Sequence, residues 1–121
     1  MSRSILVHIT HGPEHPTRAA LGFAVARAAQ EAGHSVTMFL AGDAVQLVRS
    51  GVVDHLHGLG TGSLGELLPA VMAGGAKLYL SGGSSGARGV TQADLNGIRV
   101  ELAGPAELVR LALEHDRMFT Y

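Results

Sequence analysis

Short, almost continuous apolar runs alternate along this chain with segments in which apolar residues recur every three or four positions. An apolar run of four or five residues is typical of a strand buried on both faces, and the wider spacing is typical of a helix with one buried face. The predicted strands are residues 5–9, 36–40, 77–80, 98–102 and 118–121. The predicted helices begin near residues 16, 43, 63, 91 and 105, and residues 52–62 have no regular pattern.

This alternation restricts the fold class. Strands that alternate with helices from end to end predict an α/β domain of three layers, a mostly parallel sheet of about five strands with helices on both faces. The crossover connections are expected to be right-handed. The 121 residues contain no linker and no repeat, so we expect residues 1–121 to form a single domain.

Polar residues and a proline mark several of the predicted helix starts. Pro16 or Thr17 is suited to the first position of the first long helix. Asp43 is predicted to cap the short helix after the second strand. Ser63 and Glu66 have the spacing of a capping box at the start of the next helix.

Charge and hydropathy narrow the classes of partner. Nine basic and ten acidic residues are scattered along the chain and give a formal charge of −1, which argues against a nucleic-acid partner. No apolar stretch approaches the roughly 20 residues that cross a bilayer, so we expect no membrane partner. The first apolar run is too short for a signal peptide, and we therefore expect a cytoplasmic protein.

The chain contains no cysteine. This absence excludes disulfides, thiolate metal sites, persulfide chemistry and a cysteine nucleophile. It is the strongest single restriction that the composition places on the chemistry of the protein.

A ligand site is expected at the carboxyl edge of the sheet, where the loops after different parallel strands meet. The loop after the first strand brings His11 and His15 to this edge, and Asp43 follows the second strand. The third strand is followed by a Gly- and Ser-rich loop that ends near Arg88. The candidate ligand-binding residues are His11, His15, Asp43, Ser81, Gly82, Gly83, Ser84, Ser85 and Arg88.

The loop at residues 81–89 has two interpretations. Backbone N–H groups in a Gly-rich loop at the start of a helix can hold an anion, and Arg88 would add a charge-assisted contact. The spacing of its glycines matches no established phosphate-binding motif. The alternative is a tight turn in which Arg88 pairs with a neighbouring carboxylate such as Glu14 or Glu101.

The histidines and serines allow two catalytic hypotheses. His11 and His15 with Glu14 or Asp43 could ligate a divalent metal, although their spacing matches no metal motif and exposed loop histidines are the alternative. Ser84, His11 and Asp43 could form a catalytic triad, although serine is common in turns for ordinary structural reasons and a triad is recognised by its geometry. We expect neither a metal nor a cofactor.

Three segments carry a family resemblance. Residues 77–90, a strand followed by S-G-G-S-S-G-A-R-G-V, resemble the C-x-x-C-x-x-A-R-G region of the DsrE/DsrF-like sulfur-relay family. Residues 29–47 are similar to an early part of that family, and residues 94–97 and 115–121 are similar to its closing region. The resemblance covers nearly the whole chain, and Arg88 with Gly89 is its most specific part.

The resemblance implies a fold that this chain keeps and a sulfur-relay activity that it lacks. Family members carry sulfur as a persulfide on a cysteine of this loop, where Ser81 and Ser84 stand here, and a hydroxyl cannot form a persulfide. The resemblance also implies a homo-oligomer. Three functions stay open: an accessory subunit or binder of a small anionic or polar ligand, a non-sulfur enzyme that uses a loop histidine with a serine or a metal, and a structural subunit that assembles with cysteine-bearing relatives. A non-catalytic role is favoured.

Overall fold

A computed structural model describes residues 2–95 and 97–121 of the chain. Its strands are β1 (Ser4–Ile9), β2 (Ser35–Leu40), β3 (His57–Gly58), β4 (Gly62–Ser63), β5 (Lys77–Ser81), β6 (Glu101–Ala103) and β7 (Arg117–Thr120). Its α-helices are α1 (Pro16–Glu31), α2 (Ser50–Val53), α3 (Leu64–Ala73), α4 (Gly82–Ala87) and α5 (Pro105–Glu114). Two 3₁₀ helices, Gly42–Val48 and Gln92–Leu95, complete the regular structure.

Five strands form one sheet in the order β6-β5-β2-β1-β7, and every neighbouring pair in it is parallel. Strand β1 lies between β2 and β7, and it places Ile5 opposite Val36 of β2 on one side and opposite Arg117 of β7 on the other. The predicted α/β class, the parallel sheet and the number of strands are therefore confirmed.

The sheet separates two apolar layers, because successive side chains of a strand point to opposite faces. Val7, Met38 and Leu40 face the larger layer, which α1 and α3 complete with Phe23 and Leu64 among others. Full burial of a side chain of this size stabilises the fold by about 1.5–3 kcal/mol. The smaller layer contains Leu6, Phe39, Tyr79, Ala103 and, from α5, Leu111. Helices thus cover both faces, as predicted.

Several predicted boundaries were wrong. Ser63 precedes α3, but its side chain makes no capping hydrogen bond, so no capping box forms. The segment 52–62, read as irregular, contains the end of α2 and a small antiparallel hairpin of β3 and β4. The fourth strand of the sheet is Glu101–Ala103 and begins three residues later than predicted.

A polar clamp joins the two ends of the chain. The Asp116 carboxylate accepts hydrogen bonds from the Ser4 amide at 2.8 Å and from the Ser4 hydroxyl at 3.1 Å. Both hydrogen bonds lower the pKa of Asp116 from its ordinary value, and the one from the Ser4 amide has the larger effect. The clamp fixes the start of β7 beside β1. None of the helices in the described ranges is long and apolar enough to cross a membrane.

Candidate functional site

The loops after β1, β2 and β5 meet at the carboxyl edge of the sheet. The loop after β1 contacts the loop after β2 so closely that a side chain at Gly12 would collide with the backbone carbonyl of Asp43. Glu14 supports this approach, because its carboxylate accepts a hydrogen bond from the Gly12 amide at 2.7 Å. The convergence of loops that was predicted for parallel strands is therefore present.

The segment after β5 is a helix rather than a loop. Gly82 and Gly83 begin α4, and the Ser81 hydroxyl caps it by accepting a hydrogen bond from the Ser84 amide at 3.2 Å. The Ser84 hydroxyl in turn accepts a hydrogen bond from the Gly42 amide at 2.9 Å, which ties α4 to the loop after β2. The prediction of a Gly-rich loop with unpaired N–H groups was thus wrong in its conformation.

Arg88 is held by Asp43. Its Nε donates to the Asp43 carboxylate at 2.9 Å, and its Nη1 donates to the Ser84 carbonyl at 3.3 Å. The prediction that Asp43 caps the short helix after β2 was wrong, because Asp43 lies inside the 3₁₀ helix Gly42–Val48 and no side chain caps that helix. The alternative in which Arg88 pairs with a carboxylate is correct, but its partner is Asp43 and not Glu14 or Glu101.

Arg49 is a residue of this site that the sequence did not reveal. Its Nη2 donates to the Arg88 carbonyl at 2.9 Å, its Nη1 donates to the Gln46 side chain at 2.8 Å, and its Nε lies 3.7 Å from the Asp94 carboxylate. Arg49 therefore links the segment after β2, in which it lies, to the segment after β5. No motif or periodicity singles it out, because its partners are distant in sequence.

His11 and His15 form a second group. Their rings meet edge to face with centroids 5.2 Å apart, and His11 Nδ1 lies 3.1 Å from the Tyr121 carbonyl. His15 precedes α1 without capping it through its side chain. The structure thus brings Asp43, Ser84 and Arg88 together and pairs the two histidines with each other.

The two catalytic arrangements considered from the sequence do not form. Ser84, His11 and Asp43 are engaged respectively by the Gly42 amide, the Tyr121 carbonyl and the Arg88 guanidinium, so they make no triad. Within residues 2–95 and 97–121, no group of three or more acidic or histidine side chains is placed to hold a metal ion. The geometry gives no support to the hydrolytic or the metal-dependent hypothesis.

His8 lies inside the sheet on β1 and differs from the loop histidines. Its Nε2 is buried and has no hydrogen-bond partner in the described part of the chain, and its ring packs edge to face against Phe39 at a centroid distance of 5.9 Å. Burial lowers the pKa of His8 from its ordinary value, because the charged form would lose its hydration.

A parallel three-layer α/β domain with polar side chains at the carboxyl edge defines the class of protein. Within that class, the DsrE/DsrF-like family matches residues 3–121. The chain therefore belongs to the DsrE/DsrF-like family, and it does so without a cysteine.

Solved structures share the fold. The ychN protein from E. coli is similar with a TM-score of 0.76 at 21% identity, and the match covers 100% of each chain. The conserved protein of unknown function BT1422 from Bacteroides thetaiotaomicron is similar with a TM-score of 0.69 at 15% identity, with 98% of this chain and 95% of that chain covered. No curated protein matches the chain.

Proposed function

We propose that this chain is a cytoplasmic accessory subunit of the DsrE/DsrF-like class, which contributes binding and assembly and transfers no sulfur. One observation carries the proposal: the two positions of the family's cysteine motif hold hydroxyls that serve the architecture. Ser81 caps α4 and Ser84 binds the Gly42 amide. An alcohol is far less acidic than a thiol, and these two hydroxyls supply no thiolate for sulfur to bind.

The arrangement around α4 supports retention of the scaffold without its chemistry. Ser81 and Ser84 keep the carboxyl edge ordered, and Arg88 is fixed between Asp43 and the Ser84 carbonyl. This is the environment of a binding surface, in which polar groups are positioned but no nucleophile is activated.

A small anionic or polar ligand is a second candidate function for the same edge. Arg88 and the pair of His11 and His15 supply donors there, and Arg88 with Asp43 remains partly accessible, with 30% and 45% of the two side chains exposed. An anion would have to compete with the Asp43 carboxylate for the guanidinium. We propose Ser81 through Ser85 and Arg88 as the side of this site that α4 contributes.

Exposed apolar side chains support a role in assembly. Val109 and Leu113 are one helical turn apart on α5 and are 60% and 82% exposed. Met118 and Phe119 lie on the edge strand β7, all of whose residues are exposed. An uncovered edge strand beside apolar side chains is suited to contact with another subunit. We propose that the contact is with further copies of this chain, and a cysteine-bearing relative is the alternative.

The absence of sulfur transfer can be tested directly. The wild-type protein is mixed with inorganic polysulfide as donor and cyanide as acceptor, and thiocyanate formation is followed together with the intact mass under non-reducing conditions. We expect no acceleration over the reaction without protein and no covalent sulfur on the chain.

Variants of the two serines make this test sharper. Ser84→Cys and Ser81→Cys should each gain the mass of a sulfur atom that dithiothreitol removes, which would show that the reagent reaches the edge; Ser63→Cys, before α3, is the control for a thiol elsewhere. Wild-type acceleration of thiocyanate formation that Ser81→Ala or Ser84→Ala abolishes would refute the proposal.

A further inference from the structure

A cavity of about 240 Å³ lies between α4 and the segment that leads into β6. It shares only Ser85 with the carboxyl-edge residues described above, since neither Arg88 nor the two histidines line it. Most of its wall is aliphatic and comes from Leu80, Val90, Leu95, Val100 and Leu102. Leu80 is fully buried and Leu102 is 64% exposed, so the cavity runs from the core towards the surface.

Three polar side chains, those of Ser85, Thr91 and Gln92, interrupt this aliphatic wall, and Ser85 is the buried one. Ser85 is only 4% exposed, and its hydroxyl has no hydrogen-bond partner among residues 2–95 and 97–121. Its backbone carbonyl is well satisfied, because it accepts from the amides of Arg88 at 3.2 Å and Val90 at 3.0 Å. The hydroxyl alone is therefore unpaired, and a buried unpaired hydroxyl costs free energy that a bound group could recover.

The other polar lining residues do not compensate the Ser85 hydroxyl. Thr91 is engaged with Asp94, because the Thr91 amide and hydroxyl donate to that carboxylate at 2.8 and 3.2 Å. Gln92 is exposed. No lining residue carries an ionisable side chain, so a charged ligand would lose its hydration without a counter-ion.

The segment that forms one wall of the cavity is tethered by contacts with Arg49. Arg49 binds the Arg88 carbonyl at 2.9 Å and approaches Asp94 at 3.7 Å, and these contacts fix both ends of the segment that forms one wall. A site whose walls are already ordered loses little conformational freedom when a ligand binds.

We propose that this cavity binds a small, neutral, mostly apolar molecule that carries one hydroxyl or carbonyl group, and that this group hydrogen-bonds to the Ser85 hydroxyl. The aliphatic wall selects the apolar body, the absence of charge selects a neutral molecule, and Ser85 selects the polar group. The site does not depend on the function proposed for the carboxyl edge.

Phenol and toluene test the proposal, because they have nearly the same shape and only phenol has a hydroxyl. Each is titrated into ¹⁵N-labelled wild-type protein, and the amide resonances of Val90, Leu95 and Leu102 are followed. We expect saturable shifts with both probes and an affinity for phenol that is about 2- to 10-fold higher, as one hydrogen bond provides.

Ser85→Ala should remove the preference for phenol and leave the affinity for toluene unchanged. Its melting temperature should equal or exceed that of the wild type, because an unpaired hydroxyl has been removed. Ser63→Ala, outside the cavity, should keep the preference. Equal wild-type affinities for the two probes, no saturable shift at the cavity amides, or a preference that survives in Ser85→Ala would each overturn the proposal.

Discussion

At the residue scale, three serines near α4 have different environments although they are close in sequence. Ser81 and Ser84 have backbone amides as partners, whereas the neighbouring Ser85 hydroxyl has none. Arg88 has two partners, Asp43 and the Ser84 carbonyl. Only the partners in space distinguish these serines, because all three stand in the same short stretch of sequence.

Arg88→Ala separates a ligand-binding role of Arg88 from a structural one. Sulfate should raise the melting temperature of the wild type above its value in chloride of equal ionic strength, since an anion that binds only the folded state stabilises it. The variant should lose this gain. The loss of the partly exposed ion pair should itself lower the free energy of unfolding by only about 0.2–1 kcal/mol.

Arg110→Ala is the matched control, because Arg110 also forms an ion pair at 2.9 Å, with Glu114 on the exposed face of α5. It should keep the response to sulfate. If the wild type gains nothing from sulfate, or if Arg88→Ala gains as much as the wild type, the anion site at Arg88 does not exist.

At the element scale, α4 is a helix that its own composition disfavours. Three of its six residues are glycine, and glycine destabilises a helix interior by about 1 kcal/mol relative to alanine. The helix forms because Ser81 caps it, Ser84 anchors it to Gly42, and Arg88 at its end binds Asp43. Tertiary contacts outweigh the local preference for a loop.

Ser81→Ala tests the contribution of the cap to this element. It should lower the free energy of unfolding by about 1 kcal/mol, as the loss of a serine cap usually does. Ser81→Asp should retain most of the stability, because its carboxylate can accept the same hydrogen bond. Chemical denaturation followed by circular dichroism measures both changes.

Ser63→Ala provides a control at the same helix position. Ser63 precedes α3 as Ser81 precedes α4, but its side chain makes no capping hydrogen bond. Its replacement should change stability by less than about 0.5 kcal/mol. Equal losses in the two alanine variants would show that the Ser81 cap contributes nothing specific.

At the scale of the whole molecule, the sheet is covered unequally. The larger apolar layer is closed by α1 and α3, whereas α5 alone supplies a helix to the smaller layer. A domain of 121 residues buries a limited share of its surface, and contact between subunits would add to it. The exposed apolar residues of α5 and β7 are the surface available for that contact.

We expect light scattering to give a mass of two or more times 12.5 kDa, by a whole number of subunits. Leu113→Glu should shift the protein towards the monomer, because a charge would replace an apolar contact on α5. Leu59→Glu changes a leucine that is 91% exposed outside α5 and β7, and it should leave the mass unchanged. A wild-type monomer at high micromolar concentration would refute the assembly.

Much of the fold could be predicted from the sequence alone. The apolar runs at β1, β2 and β5 and the three-to-four spacing of α1 are local patterns, and local patterns fix the type and order of elements. The hairpin of β3 and β4 was missed because two-residue strands are too short to show a period. The boundaries of β6 were missed for the same reason, since only three of its residues pair.

The sequence by itself determined that this protein is a parallel α/β domain of the DsrE/DsrF-like kind and that it has no thiol for sulfur transfer. It also predicted a candidate site at the carboxyl edge, because the loops that follow parallel strands lie at the same edge of a sheet. The tertiary structure decided that Asp43 is the partner of Arg88, that Ser81 and Ser84 hold α4, and that Ser85 is unpaired. The Ser81 cap spans only three residues, but the contacts of Asp43 with Arg88 and of Gly42 with Ser84 join positions 45 and 42 residues apart. A local pattern carries no information about such distances.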